Sequence, residues 1–389
     1  MRQDIYDIIV IGGGPAGSSA ALRAARRGAR VMLLEKQPMP RPKLCGGWVS
    51  QRAVELLEHP LPASLTARPF LRASLAFRDV SQVYKPSEQL GIFVDRAQFD
   101  HHLFDCAREA GANWSFESVR GITSDGSRYS VISDQTTYRS HAVVLCVGSN
   151  SSLITQLRPA DSPDQSAIAV EQRIPIEYAD RWDLAPGDAW LSFGVVDYGY
   201  GWALHHGDYL LVGVGAMRSK IDNIRTLLAR LWDEWKLPHE LFAPDGHLIP
   251  LGGHQRVLAR GRLLSAGDAA GMVDPFNGEG IAGAIRSGQL AADALVDHTG
   301  SEAARVYTKV CTTELLNELR TARRVADLFH GLPERLIRSF CSDPWLAEEY
   351  HEVLRQRLTY GSFMRRLIRR RLFGTMASDR QSPVAKSNS

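Results

Sequence analysis

Two hydrophobic patterns alternate along the first thirty-five residues. Residues 5–11 are a mostly apolar run of β-branched character that stops at glycines, the mark of a buried parallel strand. Residues 15–28 are alanine-rich with a basic outer face and predict a helix, and residues 30–34 make a second strand ending at Glu35. Together they predict one β-α-β unit. Residues 41–50 form a loop rich in proline and glycine. A helix follows at 96–111, with Phe99, Leu103, Phe104 and Ala107 on one face, and then a short strand at 142–147. Between about 161 and 254, strand-like runs (189–195, 201–205 and 209–215) alternate with turn residues, the composition of an antiparallel sheet in a second domain. Residues 262–266 read as a strand leading into Gly267, and 280–296 as a long helix. From residue 302 the chain is helical and arginine-rich, and its last dozen polar residues predict a disordered tail. No internal repeat is visible.

Composition narrows the class. A chain of 389 residues with 44% apolar and 23% charged residues has the make-up of a soluble protein with more than one core. No stretch approaches the roughly 18 consecutive apolar residues of a membrane-spanning helix. Met1 leads straight into the first strand, with no room for a signal peptide, so the expected compartment is the cytoplasm. The cysteines (Cys45, Cys106, Cys146, Cys311 and Cys341) are odd in number and far apart, which suggests reduced thiols. With no C-x-x-C pair and no histidine pair at ligand spacing, a metal site is not expected. The net charge of +3 is small but uneven: residues 353–376 hold seven arginines and no acid.

Two segments carry chemistry. Gly12-Gly13-Gly14-Pro15-Ala16-Gly17 lies between the first strand and its helix. In this pattern the first glycine allows a tight turn, the second lets backbone approach a pyrophosphate, and the third lets helix and strand pack closely. The helix N-terminus then faces the phosphates, and Glu35 ends the second strand where an acid accepts hydrogen bonds from a ribose. The other segment is Gly267-Asp268-Ala269-Ala270-Gly271, then Pro275-Phe276-Asn277-Gly278-Glu279-Gly280-Ile281. A strand ending at Gly267-Asp268 puts a carboxylate where it can reach a ribityl hydroxyl. The glycine-rich turn points a second helix N-terminus at the electron-rich pyrimidine of a reduced flavin. One long cofactor clamped at both ends is FAD; a nicotinamide dinucleotide alone needs no second clamp.

These motifs resemble the FAD superfamily of aromatic hydroxylases, flavin halogenases and geranylgeranyl reductases. Arg96, in Asp95-Arg96-Ala97-Gln98-Phe99-Asp100, matches a superfamily arginine beside the flavin. Pro42-Lys43-Leu44-Cys45-Gly46-Gly47 is similar to a loop near the isoalloxazine in the geranylgeranyl reductase branch, and residues 267–290 follow that branch almost residue for residue. Tyr198–Leu204 is a looser match to its substrate strand, with Tyr200 and Trp202 on one face. The resemblance covers residues 5–295, about three-quarters of the chain. It implies cofactor contacts from Lys36, Lys43, Cys45, Gly46, Gly47, Arg96, Val119, Gly148, Gly278, Gly280 and Ile281 beside the glycine loop, Glu35, Gly267 and Asp268. Substrate contacts fall to Tyr200 and Trp202, and a catalytic role to Cys45. Two departures stand out. Ala203-Leu204-His205 replaces the family's aromatic-proline pair after the tryptophan. Cys146-Val147-Gly148-Ser149-Asn150-Ser151 replaces a Gly-Ala-Asp-Gly segment tied to pyridine-nucleotide handling, so the electron donor is NADPH or another reductant.

Several residues have two readings. Cys45 is either a redox or proton-relay group, or a small side chain packed where backbone hugs the flavin. His205 and His206 are proton donors or solvated strand-end residues. Tyr200 and Trp202 wall a substrate pocket or fill a core. Phe363, Met364, Leu367, Ile368 and Leu372 recur at helical spacing opposite Arg365, Arg366, Arg369 and Arg370. That basic amphipathic helix is either a peripheral membrane contact or a terminal helix packed on its own domain. No nucleic-acid module is present, the halogenase Trp-x-Trp-x-Ile-Pro segment is absent, and a monomer is the default.

The expected fold is α/β: a Rossmann-like FAD-binding domain from 1–60, 90–155 and 255–300, an antiparallel-sheet substrate domain from 61–89 and 156–254, a helical C-terminal region at 301–376, and a tail at 377–389. The implied activity is FAD-dependent reduction of carbon–carbon double bonds in an isoprenoid chain or prenyl lipid. The alternatives are a flavin monooxygenase of a small hydrophobic substrate and a non-catalytic prenyl-lipid carrier.

Overall fold

The computed structural model describes residues 5–373 except 79, 87 and 333; the expected tail and the Leu372 side chain lie outside the described residues. The first sheet runs, in spatial order, Ala259–Arg260, Leu263–Ser265, Thr137–Leu145, Ile5–Ile11, Val31–Glu35 and Asn113–Phe116. Its centre is parallel, with Ile8 paired to Ala142 on one side and Val31 on the other. A parallel sheet is covered on both faces, which is why Ile8, Ile9, Val10, Val143, Val144 and Leu33 are all buried. The two helices on one face meet through their smallest residues: a Cβ on Gly288, in Ile281–Asp297, would lie 2.1 Å from the Ala16 carbonyl of Pro15–Arg26.

The second sheet has seven strands, ordered Asp245–Pro250, Ser166–Pro175, Tyr209–Met217, Gly199–His205, Asp188–Phe193, Arg72–Phe77 and Val80–Tyr84. The expectation of a purely antiparallel sheet needs one correction: Asp188–Phe193 and Arg72–Phe77 run parallel. Those strands come from widely separated segments, so a long crossover joins them where a hairpin would have reversed direction. The outer face packs on the helix Ile224–Glu234, which buries Leu227, Leu228, Leu231 and Trp232. The inner face looks onto a cavity.

The C-terminal helices divide between the two sheets. Gly300–Cys311 belongs to the first core, where Ala303, Tyr307 and Cys311 are fully buried and the Tyr307 hydroxyl donates to the Ser265 carbonyl at 2.6 Å. Asn317–His330, Pro344–Leu354 and Tyr360–Phe373 instead cap the cavity side of the second sheet. Of the two readings of the amphipathic helix, the packing supports a terminal helix on its own domain for most of the stripe, and membrane contact is not shown. Phe363 is buried beside Tyr350 and Tyr360, Met364 and Leu367 pack against the same cluster, and among the described side chains of that stripe only Ile368 is exposed. Phe77, Phe193, Phe276 and Phe329 give the apolar face a protein partner, while Arg366 pairs with Glu349 and Arg370 with Asp343, each at 2.8 Å. Among the described residues no helix is long and apolar enough to cross a membrane.

Candidate active site

The glycine loop separates into two kinds of glycine. Gly12 has φ +106°, and a Cβ there would sit 2.2 Å from the Cys146 carbonyl oxygen; one at Gly17 would sit 1.7 Å from the Gly12 carbonyl. Both are demanded by backbone contact. Gly14 is different. Its φ is −79°, and its added Cβ would meet nothing nearer than Arg41 Nη2 at 3.5 Å. It caps Pro15–Arg26 without a side chain, so the helix's first free N–H groups open onto the cavity. Open space above uncapped N–H groups is a cradle a pyrophosphate fits. The Arg41 guanidinium flanks it, tied to Glu35 at 3.4 Å and Asp100 at 3.3 Å; Arg96 binds the same fully buried Asp100 at 2.9 Å. Glu35 accepts the Gly13 N–H at 2.8 Å and the Gln37 N–H at 3.2 Å, so it braces the loop as well as facing the ribose position. Sequence reasoning passed over Arg41 and Asp100. The four-residue spacing of Arg96 and Asp100 on one helix is the signal that finds the latter.

The second clamp is held by its neighbours. Gly267 has φ +63° and donates its N–H to Ser287 Oγ at 2.9 Å, which sets Asp268 facing the cavity. The following turn is stapled from several sides. Tyr200 donates to the Asn277 carbonyl at 2.6 Å, Asn277 Nδ2 donates to Tyr350 at 3.1 Å, and Tyr360 donates to Asp274 at 2.9 Å. Gly280 precedes Ile281–Asp297 without a side chain of its own, and the Glu279 carboxylate accepts the Ala282 N–H of the first turn at 2.7 Å. Both helix ends border one cavity of about 880 Å³.

All the residues expected at the cofactor or substrate line this cavity except Gly17, which lies behind its wall. Cys45 sits on the loop between Lys43 and Gly47, its Sγ accepting the Gly47 N–H at 3.4 Å. Gly47, at φ +72°, leaves no room for a side chain, since a Cβ would strike the Val94 carbonyl at 2.4 Å. His205 and His206 do not line the cavity. His205 Nδ1 accepts the Gly207 N–H at 3.0 Å and shapes a turn. His206 stacks on Tyr209 and bonds the Gly46 carbonyl through Nε2 at 3.0 Å, and burial pulls it down to about 4, so it clamps the loop as a neutral ring. Trp202 lies across the sheet. A Cβ on Gly213 would meet its ring at 2.5 Å and one on Gly215 at 3.3 Å, so these two glycines make room for the indole. Tyr200 meets it edge-on at 5.9 Å. Sequence reasoning also missed Glu171 and His247, which share the inner sheet face with Trp202's neighbours.

Residues 7–144 match the family described as FAD dependent oxidoreductase. The chloroplastic geranylgeranyl diphosphate reductase of Nicotiana tabacum is 31% identical over 320 residues, 76% of this chain and 66% of that protein. This chain belongs to the geranylgeranyl reductase family of FAD-dependent oxidoreductases. Its cofactor is FAD. The menaquinone reductase of Mycobacterium tuberculosis is 29% identical, over 83% of this chain and 84% of that protein. A solved structure from Thermoplasma acidophilum, described as geranylgeranyl bacteriochlorophyll reductase-like, has the same fold, with a TM-score of 0.77 at 20% identity over 94% of this chain and 99% of that one. In this reductase, then, the glycine loop, Glu35 and Arg41 border one end of the cavity, and Asp268 with the Gly280 helix end borders the other.

Proposed function

We propose that the protein reduces carbon–carbon double bonds in the isoprenoid chain of a prenyl diphosphate or prenyl lipid. The observation that supports this reading is the continuity of the FAD cavity with an apolar chamber beneath the C-terminal helices. Its walls include Leu191, Phe193, Trp202, Phe276 and Leu354. An isoprenoid chain offers no polar group along its length, so shape and exclusion of water must hold it. Bound and reduced, FAD supplies the hydride equivalent. An isolated alkene is a poor electrophile, so the protein must desolvate the bond and hold it at near-attack distance. Trp202 and Tyr200 would flank the chain, and Cys45 would face the reacting bond from its loop. The relatives' names point to geranylgeranyl diphosphate and menaquinone, both of which carry such chains.

NADPH or another reductant would recharge the flavin in the cytoplasm. Lipid would enter beside Asn317–His330, where Ala326 and His330 line the cavity and neighbouring Leu328 is 50% exposed. The test is anaerobic incubation of dithionite-reduced holoenzyme with geranylgeranyl diphosphate and with menaquinone, following flavin reoxidation and product mass. Products gaining pairs of hydrogens support the reading. Oxygenated product formed only in air would replace it with a monooxygenase, and tight lipid binding without turnover would replace it with a carrier.

A further inference from the structure

Net reduction of an alkene needs a proton as well as a hydride, and the inner face of the second sheet holds an acid with no structural task. Along Ser166–Pro175, Ala167, Ala169 and Glu171 point into the cavity; across the ladder they pair with Ile249, His247 and Asp245. Paired residues on adjacent strands share a face, so Glu171 and His247 are diagonal neighbours with only alanine between them. Glu171 is 6% exposed. Among the described residues no ion pair or side-chain hydrogen bond ends on it; its contact is the backbone N–H of Cys45. Burying a carboxyl with one backbone hydrogen bond and no ion pair costs stability. Beside it, Lys43 Nζ and His247 Nε2 stand 2.5 Å apart, two nitrogens sharing a proton, with Asp268 of the flavin clamp close to both.

We propose that Glu171 is the acid of the reduction and that the Lys43–His247 pair returns its proton; this rests on the alkene-reductase reading above. The carboxyl O–H bond breaks and its proton forms a C–H bond at the alkene carbon that does not take the hydride. The alkene supplies the electron pair for that bond, the two electrons of the net reduction come from the reduced flavin, and a carboxylate is left. Burial, against the groups facing it, is what keeps Glu171 protonated. Lys43 and Cys45 face it from the loop, Arg96 from its helix, Arg173 from its own strand, Tyr209 from the next strand, and Asp245 and His247 from the strand across. Burial outweighs these cations and raises the Glu171 carboxyl to about 7, while burial and Lys43 pull His247 down to about 4.

The experiment compares wild type, Glu171→Gln and Glu171→Asp, each loaded with FAD and reduced by dithionite. Glutamine keeps an acceptor for the Cys45 N–H but has no acidic proton. Single-turnover reoxidation by prenyl substrate should fall about 100-fold in Glu171→Gln, within the range usual for loss of a general acid. Glu171→Asp should keep part of the rate and the pH step near 7. Flavin spectrum, FAD affinity and reoxidation by oxygen should not change. Independently of turnover, infrared titration of wild type should show a protonated carboxyl that ionises near 7 and is missing from Glu171→Gln. Wild type that reduces no prenyl substrate overturns the reductase reading and this inference with it. Wild-type turnover matched by Glu171→Gln, or a pH step that survives the substitution, overturns the inference alone. Should Glu171→Gln fail to load flavin, the infrared titration of wild type decides: a carboxyl ionising in the ordinary carboxylate range overturns the proposal.

Discussion

The two ends of the cavity are built from different material. At the flavin end the walls are mostly backbone: the uncapped helix N-terminus after Gly14, and glycines whose missing Cβ atoms would collide with carbonyls at 2.2 Å or less. At the substrate end the walls are side chains: Trp202 across two glycines, and Glu171 and His247 beside Ala169. Backbone walls recognise what all flavins share and tolerate almost no variation. Side-chain walls can be recut one residue at a time while the sheet stays intact, which suits a family whose members are named for different prenyl substrates.

The largest effects should come from the flavin end, and they should split. Gly17→Ala drives a Cβ to 1.7 Å from the Gly12 carbonyl, so helix and strand must separate, at a cost of about 3 kcal/mol or more. Low soluble yield and a depressed thermal midpoint are expected even without FAD. Gly14→Ala meets open space at an ordinary φ, so the apoprotein should melt as wild type does. Its methyl group occupies the pyrophosphate's approach, and losing one or two charge-assisted hydrogen bonds weakens FAD binding by about 100-fold. Flavin fluorescence titration measures this. If both variants bind FAD equally well, the backbone-wall account of this end is wrong.

Acid should act on the other end. His206, His247, His254 and His330 all lie at or near the substrate side, and burial pulls each down to about 4. Between about 6.5 and 4 the unfolded chain binds protons that the folded chain refuses, so stability is complete above that window and falls as pH drops through it. The buried His206 contributes a slope of about 1.4 kcal/mol per pH unit, and the partly exposed His247, His254 and His330 contribute less. Glu171, raised to about 7, acts in the opposite sense, so thermal midpoints measured from about pH 7.5 to 5 should decline by the histidines' share less the proton that Glu171 gains. His206→Asn should flatten the profile by about one proton. A flat wild-type profile would mean that these rings are hydrated.

A smaller effect tests the indole wall. Gly213→Ala places a methyl 2.5 Å from the Trp202 ring and 2.6 Å from the Val170 carbonyl, so both the ring and the neighbouring strand must give way. Overpacking of this kind costs about 1–2 kcal/mol, which should appear as a raised KM for prenyl substrate with the flavin spectrum unaltered. An unchanged KM would remove Trp202 from the substrate wall.

The same contrast explains what the sequence could reveal. Gly12, Gly14, Gly17, Glu35, Gly267 and Asp268 are legible because a backbone-built site must write its glycines at fixed local spacing. The β-α-β unit and both helices are legible because apolar periodicity sets buried faces directly. The parallel pairing of Arg72–Phe77 with Asp188–Phe193 is not legible, since nothing local encodes which strand a crossover will join. Glu171 and His247 lie 76 positions apart and become neighbours only through register, and each alone looks like a solvated strand residue. Arg41 sits in a loop whose glycines and cysteine draw attention away from it.

The helix Tyr360–Phe373 is where periodicity left two environments open, and there the smallest effect is expected. Its apolar stripe was real, but an amphipathic pattern cannot say whether lipid or protein receives the apolar face. Phe363 is 3% exposed against aromatic neighbours, whereas Ile368 is 50% exposed. Phe363→Ala should therefore cost about 3 kcal/mol, as large-to-small changes in a packed aromatic core do. Ile368→Ser should change stability by less than about 0.5 kcal/mol. The arginines opposite are partly engaged, Arg366 by Glu349 and Arg370 by Asp343 and the Trp345 ring, so anionic headgroups would have to compete for them. Sedimentation with anionic vesicles should accordingly give the same bound fraction for wild type and Ile368→Ser. If the serine variant instead loses salt-sensitive binding while keeping its melting temperature, the exposed isoleucine touches lipid and the helix serves both neighbours at once.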